Sequence, residues 1–259
     1  MNNPYKNYFS PKSAAQRYAK GRPDYHSFVI GKIKTFLAIN DSFDFSLDIG
    51  CGTGLSSVAL REISERVIGI DISEEMLKLA KNKDGIEYFS ASAESLPFSD
   101  KKFDLITISQ AIHWINKDLF FAEAARVLKP RSWIVAYDNY FLGRMLENPA
   151  FNDWYKKDFL RNYPIPPRGQ RTFARESENA NDFVLRNEEF HENIIEFSEP
   201  EIVNFLLTIS NVIALVENGT QTIEEVSEWL AKSIKPFFSG NEKRKFAFNA
   251  PIWYLRRNF

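Results

Sequence analysis

Gly50, Gly52 and Gly54 stand within five positions of one another in SLDIGCGTGLSS, residues 46–57, straight after a short apolar run. Bare backbone at such a point lets the chain pass close to a ligand that a Cβ atom would obstruct. A tight turn holding no ligand would use the same glycines, so the surroundings decide. Asp71 ends the next apolar run, RVIGID, residues 66–71. A carboxylate there accepts two hydrogen bonds from ribose hydroxyls and repels a phosphate on the same sugar, so an unmodified ribose is the expected guest. The spacing is G-x-G-x-G rather than the G-x-G-x-x-G of a dinucleotide site, and a pyrophosphate cradle is not clearly present. Cys51 is the single cysteine, which rules out an intrachain disulfide and a cysteine-based zinc site. It is read as a small residue filling the turn rather than as a reactive thiol. His26, His113 and His191 show no metal-ligand spacing, so no metal is expected.

These residues need elements to position them, and the first half of the chain alternates between two periods. Residues 43–50, 66–71, 86–91, 103–109 and 132–140 read as strands. Between them, 54–64, 73–83 and 117–129 read as helices, the second capped by Ser73 with Glu74 and Glu75 in its first turn, the third stopped by Pro130. Such alternation with short connections predicts an α/β fold, a doubly wound, mainly parallel sheet covered on both faces, with ligands at the carboxyl ends of the strands. After residue 140 the segment 141–173 reads as helical and then as a Pro-rich loop; residues 188–198 and 243–258 read as late strands, with helices between them.

Composition bounds the partners. The 259 residues carry a formal charge of −1, with 44% hydrophobic and 26% charged residues and a load of 23 Phe and 10 Tyr. No global field draws such a chain onto nucleic acid or an anionic membrane. The longest apolar-rich segment, FLLTISNVIALV at 205–216, is interrupted by polar residues and too short to span a bilayer. No signal peptide is apparent, and a cytoplasmic location is expected.

Several motifs together resemble the class I S-adenosylmethionine-dependent methyltransferases: LDIGCGTG, VIGIDISEEML, ASAESLPFSDKKFDLITISQAIHW and EAARVLKP, within about residues 8–140. The resemblance implies a Rossmann-like, seven-stranded sheet with an antiparallel edge strand and a helical cover insertion. It implies one domain over 1–259: an N-terminal lid and helix at 1–42, a cofactor-binding core at 43–140, the substrate cover at 141–187, and strands and helices completing the sheet at 188–259. S-Adenosylmethionine is the implied cofactor. Asp48, Gly50, Cys51, Gly52 and Gly54 would lie against its methionine part, Asp71 would hold the ribose, and Ile72 would lie against the adenine, with Met76 also in the cofactor set. Ser92, Ala93 and Glu94 match the loop at the adenine edge, where family members often carry Asp at the position of Ser92. Ser109 and Gln110 match the end of the fourth strand, beside the sulfur that carries the methyl group.

AAQRYAKGRPDYH, residues 14–26, and SQAIHWIN, residues 109–116, resemble the small-molecule branch related to trans-aconitate methyltransferase. Tyr18 and Arg22 would close a lid, Arg22 neutralising a carboxylate of the cofactor or of the substrate. His113, Trp114 and Tyr140 would meet the substrate. A histidine takes a proton from an alcohol or amine near neutral pH, whereas a carboxylic acid is already an anion and needs no base. His113 is therefore a candidate base for one acceptor class and a positioning group for the other. The expected acceptor is a small molecule, acidic or hydroxylic. A nucleic-acid or protein acceptor is the alternative, although the Asn/Asp-Pro-Pro-aromatic tetrad typical of nucleic-acid amino-methylating enzymes is absent; a non-catalytic cofactor-binding protein is the other. Arg168 and Arg171 beside PIPP offer further cations for an acid. The basic run Lys243, Arg244, Lys245 with Arg256 and Arg257 reads as a solvated strand end. Nothing in the sequence sets the oligomeric state.

Overall fold

The computed structural model describes residues 9–167, 183–240 and 242–258. α1 (Lys12–Gly21) and α2 (His26–Phe36) precede the alternating region. There β1 (Phe43–Ile49), α3 (Leu55–Leu60), β2 (Ser64–Asp71), α4 (Glu74–Leu77), β3 (Ile86–Ser90), β4 (Phe103–Ser109), α5 (Lys117–Val127) and β5 (Leu128–Tyr137) follow in turn. The five strands run parallel in the order β3-β2-β1-β4-β5. Their apolar residues serve both faces. Leu47, Ile49, Ile106 and Ile108 pack with Phe120, Phe121 and Ala124 of α5. Leu105 and Val135 pack with Val29, Ile30 and Ile33 of α2 and with Leu60 of α3. This is the two-sided covering that near-continuous apolar strands require.

The rest of the chain is β6 (Tyr140–Met145), α6 (Ala150–Trp154), a π-helical turn (Tyr155–Phe159), α7 (Leu160–Asn162), β7 (Phe183–Phe197), α8 (Glu199–Leu206), α9 (Ser210–Glu217), α10 (Ile223–Ile234) and β8 (Arg244–Arg257). Residues 252–256 of β8 pair antiparallel with β5, and residues 246–249 with β6, while β7 pairs along the whole of β8. β5 and β6 therefore occupy one lane, broken at Asp138 and Asn139. Eight strands fill the seven lanes that the resemblance implied; the reversed strand is β8, one lane in, and β7 pairs antiparallel with it at the edge. Beneath the insertion lies an aromatic core that joins Phe151, Phe159, Phe205, Phe246 and Phe248.

Four expectations change. The stretch 141–145 is strand, not helix, because Phe141 and Met145 pair with Phe248 and Phe246. The first crossover helix ends at Leu60, and Ser64 enters the sheet opposite Phe43, its Oγ 2.6 Å from that of Ser46. The next helix lasts one turn: Ser73 caps it by accepting from the Met76 amide at 3.3 Å, and the Lys81 amide then donates to Thr53 O at 3.1 Å, drawing the chain back to the glycine loop. Pro130 does not stop α5; it lies inside β5, where the register with β4 shifts between Phe103 and Leu105 and a missing N–H is tolerated.

Candidate functional site

A cavity of about 500 Å³ opens at the carboxyl ends of β1, β2 and β4, with Gly50, Asp71 and Ser109 on its wall. All three loop glycines have positive φ, at 66°, 53° and 76° for Gly50, Gly52 and Gly54. Their surroundings differ. A Cβ on Gly50 would lie 2.5 Å from the Cβ of Ala111, and one on Gly54 would lie 2.3 Å from the Tyr88 hydroxyl, so these two positions let protein pack on protein. A Cβ on Gly52 would meet nothing within 4 Å. Open space beside bare backbone on the cavity wall is what a closely approaching ligand needs.

Asp71 ties this loop to the end of β2. Its Oδ2 accepts from the Gly52 amide at 2.9 Å and its Oδ1 from the Ser73 amide at 2.8 Å. Burial raises its pKa, and the amide bonds oppose that shift. Each carboxylate oxygen retains acceptor capacity for a hydroxyl. Ile72 stands next to it, 53% exposed, its side chain on the cavity wall. Met76, Ala93 and Glu94 complete this end. Glu94 Oε1 accepts from the Asn116 amide at 2.9 Å and so joins the turn after β3 to the loop before α5.

Four residues expected at the cofactor lie behind the wall instead. Asp48 is fully buried; Oδ2 accepts from Ser56 Oγ at 2.6 Å and Ser57 Oγ at 2.7 Å, and Oδ1 from Thr107 Oγ1 at 2.9 Å. Burial raises its pKa against those three hydroxyls. It braces the floor of the loop and does not line the cavity. Cys51 is also buried, and burial together with Asp48 and Asp71 pushes its thiol well above the ordinary range, which favours a turn-filling role over a reactive thiol. Gly54 faces Tyr88, as described, and Ser92 hydrogen-bonds Glu94 within its own turn.

The N-terminal segment forms the roof. α1 packs on α8, where a Cβ on Gly21 would come within 2.4 Å of Asn204 O. Arg17 pairs with Glu217 at 2.6 Å. The Arg22 guanidinium donates to Gln110 Oε1 at 3.3 Å and Thr208 O at 3.2 Å, and lies 4.8 Å from the centroid of Tyr18 and 5.4 Å from that of Phe205. No carboxylate among the described residues pairs with it. Gln110 in turn donates to Tyr25 Oη at 2.6 Å, and Tyr25 Oη lies 3.0 Å from Ser109 Oγ. Gln110 holds this web with φ at 53°, a conformation that costs free energy in a residue other than glycine.

His113 and Trp114 sit on a 3-10 turn, Ile112–Trp114, with ring centroids 4.7 Å apart, and both line the cavity. Beyond them the wall is built from Asn139, Tyr140 and Phe141 at the break in the β5–β6 lane, Tyr155 of the insertion, and Phe205, Ile209 and Asn211 of the α8–α9 region. Of these, only Tyr140 was named as a site residue from the sequence. Phe141 and Tyr155 fall in the segment read from the sequence only as helical, and the α8–α9 residues carry no local signal beyond an apolar helix pattern. Arg168 and Arg171 lie outside the described residues. The basic run is partly ion-paired, Lys243 with Glu201 at 3.1 Å and Arg244 with Glu242.

Fold and cavity define an α/β protein with an open cavity at the carboxyl edge of a doubly wound sheet. Residues 47–136 match the family described as Methyltransferase domain. A malonyl-[acyl-carrier protein] O-methyltransferase of a Marinomonas species is 26% identical over 260 residues, covering 94% of this chain and 90% of the relative. A structure from Anaeromyxobacter dehalogenans, named provisionally as a type II methyltransferase, superposes with a TM-score of 0.68 at 22% identity, over 92% of this chain and 98% of that one. An N-methyltransferase of Haemonchus contortus, in complex with phosphomonomethylethanolamine and S-adenosylhomocysteine, shares the fold with a TM-score of 0.55 at 15% identity, over 98% of this chain and 60% of that one. Residues 47–136 thus carry a methyltransferase domain, and the fold around them is that of the class I S-adenosylmethionine-dependent methyltransferases. S-Adenosylmethionine is the cofactor of that family, and the open cradle at Gly52 beside Asp71 fits it.

Proposed function

We propose that this protein, a single domain over 1–259 acting in the cytoplasm, methylates an oxygen of a small-molecule acceptor, a carboxylate or a hydroxyl. The observation that carries the reading is the continuity of one cavity from Gly52, Asp71 and Glu94 to an aromatic wall at Phe141 and Phe205, with His113 and Gln110 between them. The Gly50 and Gly52 backbone and the Arg22 guanidinium hold the methionine part of the cofactor, Asp71 the ribose, and Ile72, Met76, Ala93 and Glu94 the adenine end. Bound there, S-adenosylmethionine supplies a methyl group on a positively charged sulfur that departs as a neutral thioether. The chain then has to hold the acceptor oxygen in line and keep water out, which is enough to supply much of the rate. The roof of Tyr18, Arg22 and Phe9 and the wall of Trp114 serve the second purpose.

His113 has two roles according to acceptor. A hydroxyl loses its proton to the imidazole as the new O–C bond forms, whereas a carboxylate is already ionised and His113 only orients it. The Marinomonas relative, named as a malonyl-[acyl-carrier protein] O-methyltransferase, supports oxygen as the nucleophile. Transfer of labelled methyl from S-adenosylmethionine to a panel of carboxylic acids and alcohols tests the reading. Turnover of at least one acceptor is expected. Tight cofactor binding with no transfer to any member would instead mark a non-catalytic binding protein. With a carboxylic acid as acceptor, His113→Asn is expected to keep kcat within about three-fold of wild type, far from the 10²-fold or greater loss typical of a missing general base.

A further inference from the structure

Arg22 is the one arginine or lysine among the described residues that line the cavity. It bonds Gln110 and Thr208 and stands between the two ends, where the function proposed above assigns it to the cofactor's carboxylate. Among the described residues the far end is therefore without an arginine or lysine. Its wall is made by Phe141, Tyr155, Leu160, Ile165, Phe205 and Ile209. The Phe141 ring is 5.1 Å from that of Tyr155 and 5.6 Å from that of Phe205, so the rings form a continuous surface. The polar groups beside it are neutral and already engaged by protein: Asn139 Oδ1 accepts from Asn193 at 3.1 Å, Tyr140 Oη accepts from Asn249, and Asn211 Nδ2 donates to Tyr163 O at 2.8 Å. Amides and a phenol orient one polar head. They do not neutralise a second charge, and a carboxylate set against ring and alkyl carbons loses its hydration with nothing in return.

We infer that the acceptor carries a single polar head on an apolar body, in the class of straight-chain or aryl-substituted monocarboxylic acids, and that di- and tricarboxylates do not enter this end. The inference rests on the methyltransferase reading for the position of the head, but the apolar wall can be tested without turnover. Calorimetric titration of the protein saturated with S-adenosylhomocysteine would use the monocarboxylates from butanoate to decanoate, then succinate and citrate. Burial of each added methylene is expected to tighten binding roughly 4-fold, with succinate and citrate weaker than butanoate. A flat series, no binding by any acid, or tighter binding of succinate or citrate overturns the inference.

Ile165 is 56% exposed on the outer wall, so it can be replaced without opening the core. Ile165→Lys is expected to weaken decanoate about 15-fold, the loss of two buried methylenes, and to strengthen succinate. An unchanged ratio of the two overturns the placement of the chain. Labelled methyl transfer to the same acids separates the two readings. A chain-length slope without turnover upholds the apolar acceptor end and overturns the enzymatic reading, while turnover of citrate on a flat slope does the reverse.

Discussion

Asp48, fully buried, and Asp71, half-buried, are the two carboxylates at the glycine loop, and the atoms that bond them divide their work. Asp71 accepts from two backbone amides and still faces the cavity. Asp71→Asn must turn its NH₂ toward one of those donors and also loses the charge. Cofactor binding is expected to weaken by roughly 1.5–3 kcal/mol, read by titration with S-adenosylhomocysteine; unchanged affinity would remove Asp71 from the site. Asp48 answers to a different measurement. Its replacement by Ala leaves the hydroxyls of Ser56, Ser57 and Thr107 without their acceptor. The denaturation midpoint is expected to fall by the equivalent of about 1–3 kcal/mol. A drop in affinity with stability intact would return Asp48 to the cofactor.

At the scale of elements, α2 is fixed to the sheet through His26. Its Nδ1 lies 3.0 Å from Tyr137 Oη and its ring stacks 4.2 Å from Tyr25. Burial lowers the His26 pKa to about 4, with Asp24 opposing the shift. The unfolded chain takes up a proton near pH 6.5 that the folded chain refuses until about pH 4. The stability this group contributes is therefore complete above pH 6.5 and lost as pH falls through that window, by up to about 3 kcal/mol. Asp48 and Asp71, with raised pKa values, act in the opposite sense, so the test compares two proteins. Urea denaturation at pH 7 and pH 5 is expected to show a larger loss for wild type than for His26→Gln, and equal losses would refute it. The sequence made the parallel strands, the Ser73 cap and the glycine turn after β1 legible, because alternation, capping and bare backbone are local properties. It did not reveal that the helix after Ser73 lasts a single turn or that 141–145 is strand. Those depend on Thr53 and on β8, residues distant in the chain. Phe205 and Ile209 were illegible as site residues for a related reason: an apolar side chain on a helix looks the same whether it meets a core or a cavity.

For the whole molecule, β8 is what joins the parallel half to the aromatic half. Phe246, Phe248, Trp253 and Tyr254 are all nearly or fully buried, and the strand carrying them is paired on both edges. A chain ending at residue 241 exposes these contacts on both sides of the gap. It is expected to bind a hydrophobic dye strongly and to lose its cooperative thermal transition. A sharp transition near the wild-type temperature would show that the parallel half stands alone.

The shared lane of β5 and β6 also sets an order of events during synthesis. Every strand contributing to the cofactor end of the cavity has been made by residue 109, and α1 with Arg22 precedes them all. The far wall needs Phe141, Tyr155 and Phe205, and β6, which carries Phe141, is paired only once residues 246–249 of β8 have emerged. At translation rates of roughly 5–20 residues per second, the residues of the proposed donor half are therefore made several seconds before the partner strand that the proposed acceptor wall requires.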